Sequence, residues 1–184
     1  MTLIDKLTVD IEGDTVKIHL NVRKNMRTPL QNDREIDSVG WQLLRLLQEN
    51  ARRSFRQIGE SIGMTAPAVG ERVHRLEDAG ILKGYRADVD LAKIGRPIMA
   101  FVHLTCDRHQ EAKFRVDVLD ILDVMECHCV TGTESFILKV AVTSVPHLEQ
   151  LLMTLKDYGN VRTSVVLSAQ VTSRIIDEHY SSLP

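Results

Sequence analysis

Between Asp37 and Gly80, apolar residues recur at helical spacing in three short runs, and only Met64 and Thr65 separate the second run from the third. No other stretch restricts the fold so tightly. Asp37 is placed to cap a first helix whose inner stripe is Val39, Leu43, Leu46 and Leu47. Ser54 and Gln57 have capping-box spacing for a second, with Ile58 and Ile62 inward and Gly63 as its stop. Thr65 is the N-cap candidate of the third. Pro67 is tolerated in a first turn because the N–H it lacks had no partner there. Val69, Val73 and Leu76 form the third buried stripe, and Gly80 suits a left-handed C-terminal position. "ILKGYRADV" then reads as strand–Gly–strand, a small wing. Two short helices joined by a tight turn behind a supporting helix make a helix-turn-helix.

The surface of the third helix points to a partner. Ala68, Arg72 and Arg75 lie four and three residues apart and read as one stripe, with Glu71 and Asp78 on the opposite one. A helix entering a major groove needs small residues near its start and arginines for guanine edges or phosphates. Thr65, Ala66, Pro67, Ala68, Arg72 and Arg75 meet that need. Arg52, Arg53 and Arg56 fall where the second helix begins, and Lys83 and Arg86 on the wing, the places where such a motif touches the DNA backbone. Charge agrees: Arg23 to Arg86 carries 12 Lys+Arg against 8 Asp+Glu, and the chain from Ala87 onward 9 against 13. A basic segment followed by an acidic one suggests two domains, the first facing a polyanion.

The second half alternates strand and helix. "PIMAFVHLTC", "VMECHCV", "SFILKVAVT" and "VRTSVVLS" read as strands. "QEAKFRVDVLDIL" reads as a helix with Phe114, Val118 and Ile121 inward. "SVPHLEQLLMTLKDYG" reads as another, capped by Ser144, with Leu148, Leu151, Leu152 and Leu155 inward. The order β-α-β-β-α-β is the ferredoxin-like, split βαβ arrangement. The fold class is therefore α+β, an N-terminal winged helix-turn-helix followed by a ferredoxin-like βαββαβ domain. Several strands are apolar on both faces, so the face away from the helices calls for cover, and a second copy of the chain is the expected one.

At the N-terminus, residues 7–22 alternate apolar and polar on both sides of "EGD", a hairpin pattern. The expected divisions are 1–34 (hairpin and basic linker), 35–86 (winged helix-turn-helix), 87–97 (linker), 98–174 (βαββαβ domain) and 175–184 (tail). No apolar run approaches the roughly 20 residues that span a bilayer, and the first residues lack a secretory pattern. Three cysteines, an odd number, fit a reducing compartment better than a disulfide framework. A cytoplasmic protein with no membrane partner is expected.

A helix-turn-helix followed by a βαββαβ domain resembles the Lrp/AsnC (feast/famine) family of transcription regulators. "RVHRLEDAGILKGY" and "CHCVTG" carry the resemblance most clearly, where the family shows a Leu-Glu-x-x-Gly-x-Ile helix end and a Val-Thr-Gly turn. The resemblance implies binding of double-stranded DNA, homodimers built through the α/β domain that assemble to tetramers or octamers, and an amino-acid effector at the turn joining the second and third strands of that domain. Here that turn is Val130–Phe136. Gly132 and Thr133 would offer backbone N–H groups to the effector carboxylate, and Glu134 would take its ammonium. Thr163 and Ser164 would complete the pocket. Ser135 and Phe136 stand where the family commonly has aspartate and tyrosine.

The segment "ECHCVTGTESF" admits other chemistry. Cys127 and Cys129 alternate onto one strand face and His128 onto the other. Two thiolates are half a zinc site, with His103 or Cys106 on a neighbouring strand as further candidates. Glu126 and Glu134 make the setting negative and disfavour a catalytic thiol. The favoured reading is two small buried cysteines at a sheet or dimer face, with no metal and no cofactor. A competing function is a tetrapyrrole-processing enzyme on the same architecture, drawing on His103, His109, His128 and His147. A second competitor is an architectural DNA binder without an effector.

Overall fold

The structure is a computed structural model, and it describes residues 4–12, 15–22 and 36–179. Strands β1 (Ile4–Glu12) and β2 (Thr15–Val22) pair antiparallel, with Val9 opposite Ile18 and Ile11 opposite Val16. The hairpin read from the alternation is thus present and starts earlier than expected. The basic linker expected at residues 23–33 lies outside the described residues. The chain divides into two compact units. One holds the hairpin, the helices up to Gly84 and the segment from Ile175, and the other runs from Tyr85 to Arg174.

The helical unit contains α1 (Ser38–Glu49), α2 (Phe55–Ile62) and α3 (Ala66–Asp78). Asp37 caps α1 by accepting from the Gly40 N–H at 2.8 Å. The Ser54–Gln57 capping box is complete: Gln57 N–H donates to Ser54 Oγ and Ser54 N–H to Gln57 Oε1. Thr65 occupies the α3 N-cap position, but its side chain makes no capping bond. The core is Leu43, Leu44, Leu47, Ile58, Val69, Val73 and Leu76. On α1 the buried stripe is rotated from the expected one. Leu44 is buried, whereas Leu46 is only partly buried. Residues 81–89, expected as a wing, carry no strand. A two-stranded ribbon is marginal without a face to pack on, and the boundary between the units cuts this one between Gly84 and Tyr85. The Ile175 segment joins the helical unit through Gln48, whose amide donates to Ile176 O at 2.8 Å and accepts from Ile176 N–H at 2.9 Å.

The second unit contains β3 (Ile98–Thr105), α4 (Arg108–Asp117), β4 (Val124–Cys129), β5 (Phe136–Val142), α5 (Val145–Lys156) and β6 (Asn160–Val165). The sheet order β4-β5-β3-β6, all antiparallel, is ferredoxin-like. α4 ends sooner than the apolar spacing suggested, at Asp117, and a 3₁₀ turn continues to Asp120. Asp107 caps α4 by accepting from two N–H groups, and Ser144 caps α5 as expected.

One sheet face is buried under the helices. Ala100, Val102, Leu104, Phe136, Leu138 and Val140 meet Phe114 from α4 and Leu148, Leu151 and Leu155 from α5. Phe114 lies between Phe136 and Tyr158, with ring centroids 4.9 and 5.0 Å away. The other face is less apolar than the sequence suggested. Phe101 is 40% exposed there, and beside it Lys139 pairs with Glu126 at 2.9 Å, which also takes His128 at 3.2 Å. The Lys139 ammonium, then His128, hold the Glu126 carboxyl below its ordinary range. At the sheet's end, Arg96 bridges Asp123 and the Ala141 carbonyl, and Asp123 takes His147 Nε2 at 2.9 Å. That network ties the turn at residues 91–96 to the sheet.

Candidate nucleic-acid interface and effector turn

α3 divides cleanly. Val69, Gly70, Val73 and Leu76 are buried against α1 and α2. Pro67, Glu71, His74, Arg75 and Asp78 are exposed on the other side, and Ala66 and Ala68 are partly buried near its start. The connection to α2 is tight because residue 59 is glycine. A Cβ there would run into the Met64 carbonyl oxygen, a backbone atom.

The two arginines of the expected reading stripe have different fates. Arg72 reaches back to the start of α1, where Nη1 donates to both Asp37 carboxylate oxygens at 2.9 and 2.8 Å. Its guanidinium is therefore committed within the unit, a role that helical spacing alone does not reveal. Arg75 points outward and pairs with Glu71 one turn earlier. Glu71 was expected on the opposite stripe. It lies beside Arg75 instead, because residues four apart share a helix face. The open face of α3 thus mixes acid and base.

Arg72, then the Gly40 N–H, hold the Asp37 carboxyl below its ordinary value of 3.8. A depressed carboxyl contributes stability that is complete above the unfolded value and lost as pH falls toward the folded one. Asp37→Asn should therefore lower the stability of the helical unit at neutral pH by under about 1 kcal/mol, the scale of an exposed ion pair. The gap to the unmutated chain should close as pH drops below about 4. Denaturant titrations from pH 7 to pH 3 check this, and a constant gap would mean the pair adds nothing.

Around the start of α2, Arg53 pairs with Glu49 at 3.2 Å and Arg56 with Glu60 at 2.9 Å. Arg52 is exposed and has no carboxylate partner among the described residues. Lys83 is exposed in the same unit, whereas Arg86 falls in the other. No strand forms between them.

At the turn after β4, Val130 N–H donates to Ser135 O at 3.2 Å, and Thr105 Oγ1 donates to Thr133 O at 3.2 Å. Ser135 is only 9% exposed. Its hydroxyl donates to Cys106 O and accepts from Cys106 N–H, so it holds the turn and is not free for a ligand. Gly132 has φ 119°, a conformation other residues rarely adopt. Among the described residues, the Gly132 and Thr133 N–H groups meet no acceptor. Glu134 accepts from the Thr133 hydroxyl at 2.7 Å and from Arg162 at 2.6 Å, and His103 Nδ1 lies 4.0 Å away. The Thr133 hydroxyl and the Glu134 N–H hold its carboxyl below the usual range.

Thr163 and Ser164 do not act together. Thr163 is opposite Val102, on the helix side, and Ser164 opposite Phe101, on the other. The groups beside Glu134 are instead Arg162 and His103, paired across β3 and β6. Only the strand register reveals them.

The remaining candidates disperse. His128 meets Glu126, His147 meets Asp123, and His103 lies by Glu134. Among the described residues no three His, Cys, Asp or Glu gather as a metal site. Cys127 and Cys129 face the helix side of β4 as alternation required, yet both are exposed rather than buried. β4 is an edge strand, with a paired neighbour on one flank only among the described residues.

The AsnC-type helix-turn-helix domain model matches residues 36–77, and the Lrp/AsnC ligand binding domain model matches residues 99–176. The Bacillus subtilis HTH-type transcriptional regulator LrpB is 39% identical over 126 residues, covering 68% of this chain and 85% of that protein. The structure of B. subtilis LrpC is similar with a TM-score of 0.72 at 27% identity, covering 76% of this chain and 99% of LrpC. The feast or famine regulatory protein from Mycobacterium tuberculosis, in its complex with L-methionine, gives 0.69 at 30% identity, covering 77% of this chain and all of that one. With a helix-turn-helix ahead of a four-stranded α+β unit, and both family models matched in that order, this chain belongs to the Lrp/AsnC family of transcriptional regulators.

Proposed function

We propose that the chain sets the outward face of α3 into the major groove of an operator, and that an α-amino acid at the Val130–Phe136 turn shifts its assembly and so its DNA affinity. The observation that carries the first part is the division of α3. Every buried residue lies on one side, which leaves a continuous face of Thr65, Pro67, Ala68, Glu71 and Arg75. Arg75 is the base or phosphate reader, released from Glu71 on binding. Arg52, Arg56 and Lys83 meet the backbone, and Arg72 positions α3 through Asp37. Arg75→Ala should weaken binding to the cognate site by roughly 1–3 kcal/mol, read by gel shift at fixed salt. Unchanged affinity would place another surface in the groove.

The free N–H groups of Gly132 and Thr133 support the second part, since a carboxylate needs such donors. Glu134 supplies a counter-charge for an ammonium once Arg162 moves aside. Copies join through the sheet face carrying Phe101, giving a homodimer that assembles to a tetramer or octamer. Such a ligand changes DNA affinity by as much as its own affinity differs between assembly states. A full amino-acid panel, read by light scattering and gel shift, tests this. At least one amino acid should change particle size or operator affinity. A panel with no effect removes the sensor and leaves the DNA reading standing. Matched relatives are named HTH-type transcriptional regulators, which favours this reading over a tetrapyrrole enzyme.

A further inference from the structure

The regulator uses neither Cys127 nor Cys129. Both are exposed on β4, opposite Leu138 and Phe136, so both thiols stand on the side facing α4. Arg115 of α4 donates Nη2–H to Cys129 Sγ at 3.0 Å, and its guanidinium lies 5.2 Å from the Phe136 ring centroid. Cys127 borders an open apolar groove lined by Leu119, Leu122 and Met125. We infer that Cys127 and Cys129 form a two-sulfur site for a soft monovalent metal cation of the Cu(I) type, with Arg115 balancing its charge.

The geometry selects the occupant. Residues two apart on a strand are about 6.6 Å apart with parallel Cβ directions. That is the far edge of the roughly 4.4–6.8 Å range of disulfides, so the two thiols are poorly placed to bond to each other. Two metal–sulfur bonds of about 2.3 Å laid in line span about 4.6 Å, a gap that two sulfurs leaning together close. A structural zinc ion takes four ligands, and among the described residues no three candidate ligands gather. Thiolates select soft ions such as Cu(I). Binding replaces two S–H bonds by two S–metal bonds, and both protons go to solvent. A monovalent cation between two thiolates leaves one negative charge, and Arg115 is the positive group already touching one sulfur. No electron changes hands. The site ends next to Val130, whose N–H closes the effector turn onto Ser135 O, so a bound ion fixes one side of that turn.

The test uses the full chain, reduced and free of oxygen. It is titrated with Ag(I) as a redox-inert probe and with Cu(I) against a competing chelator. One ion should bind per chain, with two sulfur neighbours by X-ray absorption. Cys127→Ser and Cys129→Ser should each remove the tight site, and Cys106→Ser should leave it intact. Arg115→Gln should weaken it by roughly tenfold or more. Zn(II) should bind far more weakly. In the unmutated chain, bound Ag(I) should shield Cys127 and Cys129, but not Cys106, from alkylation, a readout independent of how any variant folds. Unchanged affinity in either strand-cysteine variant, no shielding, or a four-coordinate ion would overturn the assignment.

Discussion

Gly59→Val is expected to unfold the helical unit and abolish DNA binding while the sheet unit keeps its own melting transition. A side chain at residue 59 meets the carbonyl oxygen of Met64, in the turn between α2 and α3. That oxygen belongs to the backbone, and the Met64 N–H donates to Gly59 O at 2.9 Å, so neither strand of the turn can give way alone. Overpacking of a well-packed site costs about 1–3 kcal/mol and more where backbone must move. Among the described residues, seven buried apolar side chains form the core that must absorb that. Small cores leave narrow margins. Calorimetry should show the helical unit's transition vanish and the other persist, with gel shifts lost in parallel. Wild-type DNA affinity in this variant would mean that the α2–α3 angle does not set the reading surface.

The second large effect falls on the other unit. Phe114→Ala should cost about 3–5 kcal/mol, the usual range for a buried phenylalanine, against a total stability of about 5–15 kcal/mol. Phe114 is fully buried. Its removal leaves a cavity between Phe136, which begins β5 at the end of the Val130–Phe136 turn, and Tyr158. Tyr158 is itself fixed, since its hydroxyl donates to Asp117 Oδ2 at 2.7 Å. That carboxylate, then burial, push the Tyr158 phenol above its ordinary range. The sheet unit should unfold at markedly lower denaturant, and higher assemblies should dissociate with it, while the helical unit keeps its transition. A shift below 1 kcal/mol would show that the site collapses onto the gap.

Periodicity and caps made most of this architecture readable. The spacing of Val69, Val73 and Leu76 identified the buried side of α3, and Ser54, Gln57 and Ser144 marked helix starts through local hydrogen bonds that sequence neighbours make with one another. What escaped was long-range. Arg72 finds Asp37, 35 positions away, because α3 packs beside the start of α1. Arg162 and His103 come to Glu134 only through the register of β6 on β3. The wing failed because strand propensity near Ile81 and Tyr85 needs a partner strand, and among the described residues that segment pairs with none. Cys127 and Cys129 are not buried within the chain for a similar reason: the pattern fixed their face but not that β4 is an edge.

In the proposed function, α3 reads duplex DNA. Selection of bound sequences from random duplexes, followed by affinities for the selected and a scrambled site at one salt concentration, tests it most directly. The expected result is a dyad-symmetric consensus, a preference of at least about a thousandfold, and affinity that falls steeply with salt. Arg75→Ala should also erode the preference. Equal affinity for both duplexes, or a preference untouched by changes on α3, would contradict it.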